Sequence, residues 1–242
     1  WTLLCLNSPI PLVPPFLFDM KKIIMSLLAA VSVTAPVLAD PITKDDYYTN
    51  HSMGCMLLRE CTDGVKQVTS LLDISSEYSN TTEFSSVATE FNSMLTSLSG
   101  VGVKVFLAEE HYFPVGHRGV YHTVGNNFFL NKRHMSRPGT LMSVMRHEGW
   151  HAAQDCMAGT INNSMIALIM SEDKVPELWQ EMVERTYPQS AWPWEKEASW
   201  AGKTAGMTKD ALAACARGKM WEVYEPTPLT REYLVKEGYI TK

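Results

Sequence analysis

The sequence TLMSVMRHEGWHAAQDCMA, residues 140–158, predicts one long helix. Pro138-Gly139 interrupts the chain before it, Thr140 is the expected N-cap, and Gly159 is the expected stop. Several residues recur at three- and four-residue steps and form a stripe that we expect to be buried: Leu141, Val144, Met145, Glu148, His151, Ala152 and Cys156. The polar members of this stripe need partners, because an unpaired buried polar group costs several kcal/mol.

The same helix contains His147-Glu148-Gly149-Trp150-His151, an H-E-x-x-H pattern. Histidines four residues apart lie one turn above each other on a single helix face. This spacing places two imidazoles where a tetrahedral zinc ion needs them, with Glu148 positioned to take a proton from a zinc-bound water. A helix with two surface histidines is the alternative interpretation, and the expected burial favours the metal site. Gly149 leaves room for another segment to pass close to the helix.

A catalytic zinc ion takes three protein ligands, so a third ligand is expected elsewhere in the chain. The sequence WPWEKEASWAG, residues 192–202, predicts a helix that begins near Pro193. Glu197 falls on its small, apolar face, where a carboxylate needs a partner, and we expect it to be the third ligand. Glu195 is the main rival, but it falls on another face and is expected to be solvated. The alternative for Glu197 is an ordinary first-turn acid that favours the helix dipole.

The two motifs together resemble the gluzincin branch of zinc metallopeptidases, in which H-E-x-x-H on one helix is joined by a glutamate ligand on a later helix. The resemblance implies one Zn²⁺ per chain, held in a roughly tetrahedral site by His147, His151 and Glu197. It also implies that Glu148 is the catalytic general base. The Gly149-Trp150 pair departs from the family's usual aliphatic-then-small order.

Hydrophobic periodicity predicts how the rest of the chain surrounds the metal helix. Upstream it predicts an amphipathic helix over residues 82–98 and strands over residues 101–109, 120–124 and 127–131. Downstream it predicts helices over residues 162–170, 176–187 and 208–220. The second of these is expected to face inward with Leu178, Trp179, Met182 and Val183. The resulting expectation is a zincin-like α+β fold, in which a small twisted sheet packs on the active-site helix and a mainly helical C-terminal part follows.

The N-terminal part predicts export. Residues 1–19 are rich in proline and leucine and are expected to be an upstream artefact or a disordered segment. Residues 20–39 show the basic start, apolar run and small-residue cleavage site of a signal peptide, with an uncleaved membrane anchor as the alternative. Residues 40–242 would then form one metallopeptidase domain, secreted or periplasmic, without contact to the membrane after cleavage.

Charge and cysteine content fit an exported globular domain. The formal net charge is −5 and no basic run is present, which argues against nucleic acid as a partner. The cysteines after the predicted signal are even in number, which suggests two disulfides in an exported chain. Of the possible connectivities we favour Cys55–Cys61 as a local loop and Cys156–Cys215 as a clamp between the metal helix and the helix after Glu197. Free buried thiols are the alternative.

The sequence therefore predicts a zinc metallopeptidase that hydrolyses a peptide or protein substrate. The alternative is a catalytically inactive zincin-fold binding protein with a structural zinc, in the envelope or secreted. A zinc peptidase usually needs a donor that stabilises the oxyanion. The sequence does not choose among the candidates: Tyr48, Tyr121, Tyr187, Tyr224, His111, His117, His122 and His134. Three of these histidines (111, 117 and 122) could suggest a second metal, but ordinary loop and strand partners are the preferred interpretation.

Overall fold

The computed structural model describes residues 50–241. The predicted signal peptide at residues 20–39, the segment 1–19 and Tyr48 lie outside the described residues. The described part of the chain has eight α-helices: α1 Asn50–Leu57, α2 Leu72–Ser75, α3 Ala88–Gly100, α4 Pro138–Met157, α5 Glu177–Thr186, α6 Trp192–Lys203, α7 Met207–Ala216 and α8 Pro228–Lys236. It has four strands: β1 Val65–Gln67, β2 Lys104–Ala108, β3 Gly119–His122 and β4 Asn127–Asn131. The fold is α+β and mainly helical.

The four strands form one mixed sheet in the order β1-β2-β4-β3. Strands β2 and β4 are parallel, and the two outer pairs are antiparallel. Strand β4 is buried along its whole length, and its sequence NFFLN is apolar at consecutive positions, as suits a strand covered on both faces. Phe128 and Leu130 join a large core with apolar side chains of α3, α4 and α7. Phe129 stacks on Phe106 in a smaller core beside α1, so the sheet has apolar layers on both sides.

Helix α4 is the centre of the larger core, because it contacts α3, α6, α7 and strand β3. It is buried on nearly every face from Leu141 to Met157 rather than along one stripe. The helix begins at Pro138, two residues before the expected N-cap at Thr140, because proline suits the first turn of a helix, where its missing N–H has no partner to lose. Gly149 lets other segments approach α4 closely, as expected. A Cβ at this position would lie 3.0 Å from a methyl of Thr208 on α7 and 3.2 Å from the side chain of Met94 on α3.

Several predicted elements differ from the structure. The helix expected over residues 82–98 is divided into a 3-10 helix, Thr81–Val87, and α3. The helix expected over residues 208–220 begins at Met207 and ends at Ala216, followed by left-handed backbone at Gly218 and Lys219. The three predicted strands are present, at Lys104–Ala108, Gly119–His122 and Asn127–Asn131.

The helix expected over residues 162–170 is absent, and this stretch is irregular. The side chain of Asn163 accepts a hydrogen bond from the backbone N–H of Met165 and donates one to the carbonyl of Ala158. Ser164 adopts a left-handed φ of 60°. These local hydrogen bonds compete with helix formation, and Ala167 and Ile169 are buried without a helix.

Helix α5 lies where it was expected, but its orientation differs. Val183 is buried, whereas Leu178 is 69% exposed and Met182 is 37% exposed. The expectation that all its apolar side chains face inward is wrong, because α5 packs mainly on α6 and lies at the surface. No helix within residues 50–241 is both long enough and apolar enough to cross a membrane.

Both expected disulfides are present. Cys55–Cys61 closes a short loop after α1, and Cys156–Cys215 joins the last turn of α4 to the last turn of α7. The second bridge spans 59 residues of sequence and includes α5 and α6 in the loop that it closes.

We expect the long-range bridge to contribute more stability than the local one. Closing a loop of this length removes unfolded-state entropy worth about 4 kcal/mol, against about 2 kcal/mol for the Cys55–Cys61 loop. Denaturant unfolding of the two double cysteine-to-alanine variants would measure the difference in free energy of unfolding. An equal or smaller loss for the Cys156/Cys215 variant would contradict this expectation.

A buried acid near the end of α4 makes stability depend on pH. Asp155 is fully buried, and one of its carboxylate oxygens accepts a hydrogen bond from the Tyr121 hydroxyl at 2.9 Å. Its other oxygen, Oδ1, has no hydrogen-bond partner. Burial raises the pKa of Asp155 to about 8, although the bond from Tyr121 lowers it in part. The folded state therefore holds a proton that the unfolded state releases near its ordinary pKa of 3.8.

Stability should fall as pH rises from about 4 to about 8, because the folded state binds more protons than the unfolded state throughout that window. Asp155→Asn should remove this contribution and stabilise the protein at pH 8 by more than about 1 kcal/mol, since one pKa unit is worth about 1.4 kcal/mol. Denaturant unfolding at pH 5 and pH 8 measures it. The same pH slope in the variant and the wild type would count against a buried neutral Asp155.

Candidate metal centre

Helix α4 places the two histidines as the sequence predicts. His147 and His151 are 5% and 0% exposed, and their ring centroids lie 5.0 Å apart with an angle of 79° between the planes. Helix α6 packs closely against this face of α4. The contact depends on Gly202, where a Cβ would lie 3.1 Å from the carbonyl of Ser143 and 3.2 Å from the Cβ of His147. A small residue at this position therefore lets α6 reach the histidines.

Glu195 of α6 completes a set of three ligand groups with the histidines. Its Oε2 lies 3.2 Å from Nε2 of His147, and its Oε1 lies 3.5 Å from Nε2 of His151. One ligand atom from each residue lies within 4.8 Å of the others, and all three residues are buried. Both Nε2 atoms and Oε2 of Glu195 lack a hydrogen bond of normal geometry. Buried imidazole and carboxylate atoms that converge in this way can hold a metal ion.

The expected third ligand, Glu197, does not join this set. Its carboxylate accepts hydrogen bonds from four donors: Nε1 of Trp150 at 3.0 Å, Nε2 of Gln154 at 2.8 Å, and the backbone N–H groups of Ile169 at 3.3 Å and Met170 at 2.8 Å. The structure thus brings Glu195 to His147 and His151 and engages Glu197 elsewhere. Burial raises the pKa of Glu197 to about 7, against the effect of these hydrogen bonds.

The expectation that Glu195 is solvated is also wrong, because this side chain is 2% exposed. On a helix that buries a single stripe, Glu195 would face solvent. In the structure every residue from Glu195 to Ser199 is buried, since α4, α5 and the segment before α5 all pack on α6. Helical periodicity cannot choose between two acids when both faces are covered.

The side chain of Lys196 is also buried and lies between the two acids in sequence. Its ammonium group pairs with Glu172 in the segment before α5 and with Glu184 of α5, the latter at 2.6 Å. These ion pairs connect α6 to its outer neighbours.

Glu148 lies on the same helix as the histidines and is fully buried. Strand β3 runs close to it, and a Cβ at Gly119 would lie 3.1 Å from its Cγ. Neither of its carboxylate oxygens has a hydrogen bond of normal geometry. Burial raises the pKa of Glu148 to about 8, although His151 favours the charged form. Glu148 is therefore a buried acid next to the ligand groups that can gain or lose a proton near neutral pH.

Without a metal ion, the charged forms of His151 and Glu195 stabilise each other. Burial alone would lower the pKa of His151, but Glu195 and Glu148 outweigh it and raise that pKa to about 9. Burial alone would raise the pKa of Glu195, but His151 and His147 lower it to about 2. Glu195 is therefore a carboxylate that requires a buried positive charge. A divalent cation can supply this charge in place of the histidine proton.

The loop histidines add no ligand to this set. Within residues 50–241 the set of His147, His151 and Glu195 is the one group of three or more such residues with metal-ligand spacing, so the loop histidines form no second metal cluster there. The Tyr121 hydroxyl, an oxyanion candidate, donates to Asp155. Gln154 was not anticipated: its Oε1 lies 2.8 Å from Nδ1 of His151. Its position three residues after His151 on the same helix face is the signal that could have found it.

No protein-family model matches the chain, and comparison with curated proteins and with solved structures finds no similar protein.

Proposed function

We propose that this protein is an exported zinc-dependent metallopeptidase of the gluzincin type, in which His147, His151 and Glu195 hold one Zn²⁺. The observation that carries the proposal is the convergence of three buried ligand atoms without normal hydrogen bonds, beside the buried carboxyl group of Glu148. The third ligand differs from the residue that the sequence favours. Two disulfides support an oxidising, exported location.

Zinc at this site would act as a Lewis acid that activates water and polarises a peptide carbonyl. Glu148 takes a proton from the attacking water and passes it to the leaving amine, which is the work of a general base followed by a general acid. Burial raises the pKa of Glu148, which lets the carboxyl group hold the proton between the two steps. The proposed substrate is a peptide or protein.

A closed site in a catalytically inactive binding protein is the second candidate. The burial of the centre supports this second candidate, since the three ligand residues and Glu148 are each at most 5% exposed. A catalytic zinc site must keep one position open to substrate, whereas a structural site is closed. The presence of Glu148 beside the histidines favours the enzyme, because a structural zinc site does not need a proton acceptor.

Zinc content should separate the two acids of α6. We expect about one zinc per chain in the wild type and in Glu197→Gln, and none in Glu195→Gln, because an amide is a poor zinc ligand. Elemental analysis after dialysis against a small excess of zinc measures this. The two variants are matched controls, since they make the same change two residues apart in one helix. Loss of zinc in Glu197→Gln with retention in Glu195→Gln would restore Glu197 as the ligand.

Activity should depend on Glu148. In Glu148→Gln we expect normal zinc content and a loss of about 10²–10⁴-fold in turnover of a fluorogenic peptide library, the range for removal of a general base. Full activity in this variant would contradict the proposed mechanism. A wild type that binds one zinc and cleaves nothing in the library would favour the closed, inactive site instead.

A further inference from the structure

The orientation of the Gln154 side-chain amide is fixed by its neighbours. Its Nε2 lies 2.8 Å from Oε2 of Glu197 and 3.2 Å from the backbone carbonyl of Trp194. A carbonyl oxygen and an ionised carboxylate accept hydrogen bonds but cannot donate them. The NH₂ end of the amide must therefore face these two groups. The amide oxygen is then the end that faces His151.

This orientation decides the tautomer of His151. Oε1 of Gln154 lies 2.8 Å from Nδ1 of His151, and an amide oxygen cannot donate a hydrogen bond. Nδ1 must therefore carry the proton. The other ring nitrogen, Nε2, lies 3.5 Å from Oε1 of Glu195, and it is the nitrogen at which a metal ion would take the place of the second histidine proton.

Glu197 is held firmly enough to impose this arrangement. Three donors besides Gln154 fix its carboxylate: the indole of Trp150 on α4 and the backbone N–H groups of Ile169 and Met170. These donors come from two separate segments, and Glu197 as a whole residue is 1% exposed. The segment that contains Ile169 is tied further to α4, because the N–H of Ala167 donates to the carbonyl of Gln154.

We propose that Glu197 and Gln154 are positioning residues, in which Glu197 orients the amide of Gln154 and that amide holds His151 with its proton on Nδ1 and its Nε2 directed at the metal. The expected effect on metal affinity rests on the proposed zinc site, while the hydrogen-bond arrangement itself can be tested without zinc. Outer partners of this kind typically change metal affinity 10–100-fold when they are removed.

The test uses Gln154→Leu, which keeps the side-chain size and removes the amide, together with Glu197→Leu and Glu197→Gln. Asp155→Asn is the matched control, because it changes the next residue of the same helix, which is also buried but hydrogen-bonds to Tyr121. Two quantities are measured for each purified protein: the Kd for zinc, by competition with a chelator, and the His151 Nδ1–H signal, by ¹⁵N-resolved NMR of the imidazoles. If Gln154→Leu does not fold, Gln154→Asn replaces it, since its shorter side chain cannot reach His151.

We expect a slowly exchanging Nδ1–H on His151 in the wild type and in Asp155→Asn. In Gln154→Leu and Glu197→Leu this signal should be lost or exchange rapidly, and Kd should rise 10–100-fold. Glu197→Gln keeps an acceptor for Gln154, so its Kd should rise less than that of Glu197→Leu. A protected Nδ1–H and an unchanged Kd in Gln154→Leu would overturn the inference.

Failure of the proposed function gives a different pattern. If the wild type binds no zinc, the metal centre is refuted, and the Nδ1–H signal of the metal-free proteins alone decides whether Gln154 and Glu197 hold His151. Equal loss of affinity in Asp155→Asn and Gln154→Leu would mean general disruption of α4, which also overturns the positioning role.

Discussion

The structure depends on one constraint, the burial of a polar face of α4 inside the larger core. Five neighbouring polar side chains of this helix are at most 5% exposed: His147, Glu148, His151, Gln154 and Asp155. A buried polar group without a partner costs about 1–3 kcal/mol, so a helix with this content is stable only if other segments bring partners to it. Helix α6 brings most of them, and the position of α6 follows from this requirement.

Two acids of α6 meet that requirement in different ways. Glu195 lies against the two imidazoles, and its Oε2 has no hydrogen bond of normal geometry. Glu197 is saturated with donors and joins α4, α6 and the irregular segment around Met170. Glu197 therefore holds the neighbouring segments together, and Glu195 completes the ligand set. The close packing that this needs is possible because Gly149 and Gly202 leave no side chain between α4 and the neighbouring helices.

Glu195 and the histidines also couple metal binding to folding. A buried carboxylate with a strongly lowered pKa needs a buried cation, which is either a histidine proton or a metal ion. Because the ligand atoms come from two helices that are distant in sequence, the set exists only when α4 and α6 are packed together. Binding free energy at such a site stabilises that packing, since an unfolded chain offers no preformed site.

Some features could be predicted from the sequence because they are local. The spacing of His147 and His151 and the burial of Glu148 follow from the 3.6-residue period of a helix. Strands β2, β3 and β4 lie at or close to the apolar stretches that predict them. The disulfide pairs were favoured from cysteine number and position, and both are present. The choice between Glu195 and Glu197, the role of Gln154, the outward face of α5 and the irregular path of residues 162–170 depended on which segments pack against each element. A helical pattern records that a face is buried, but not against what, so only the tertiary structure could decide these points.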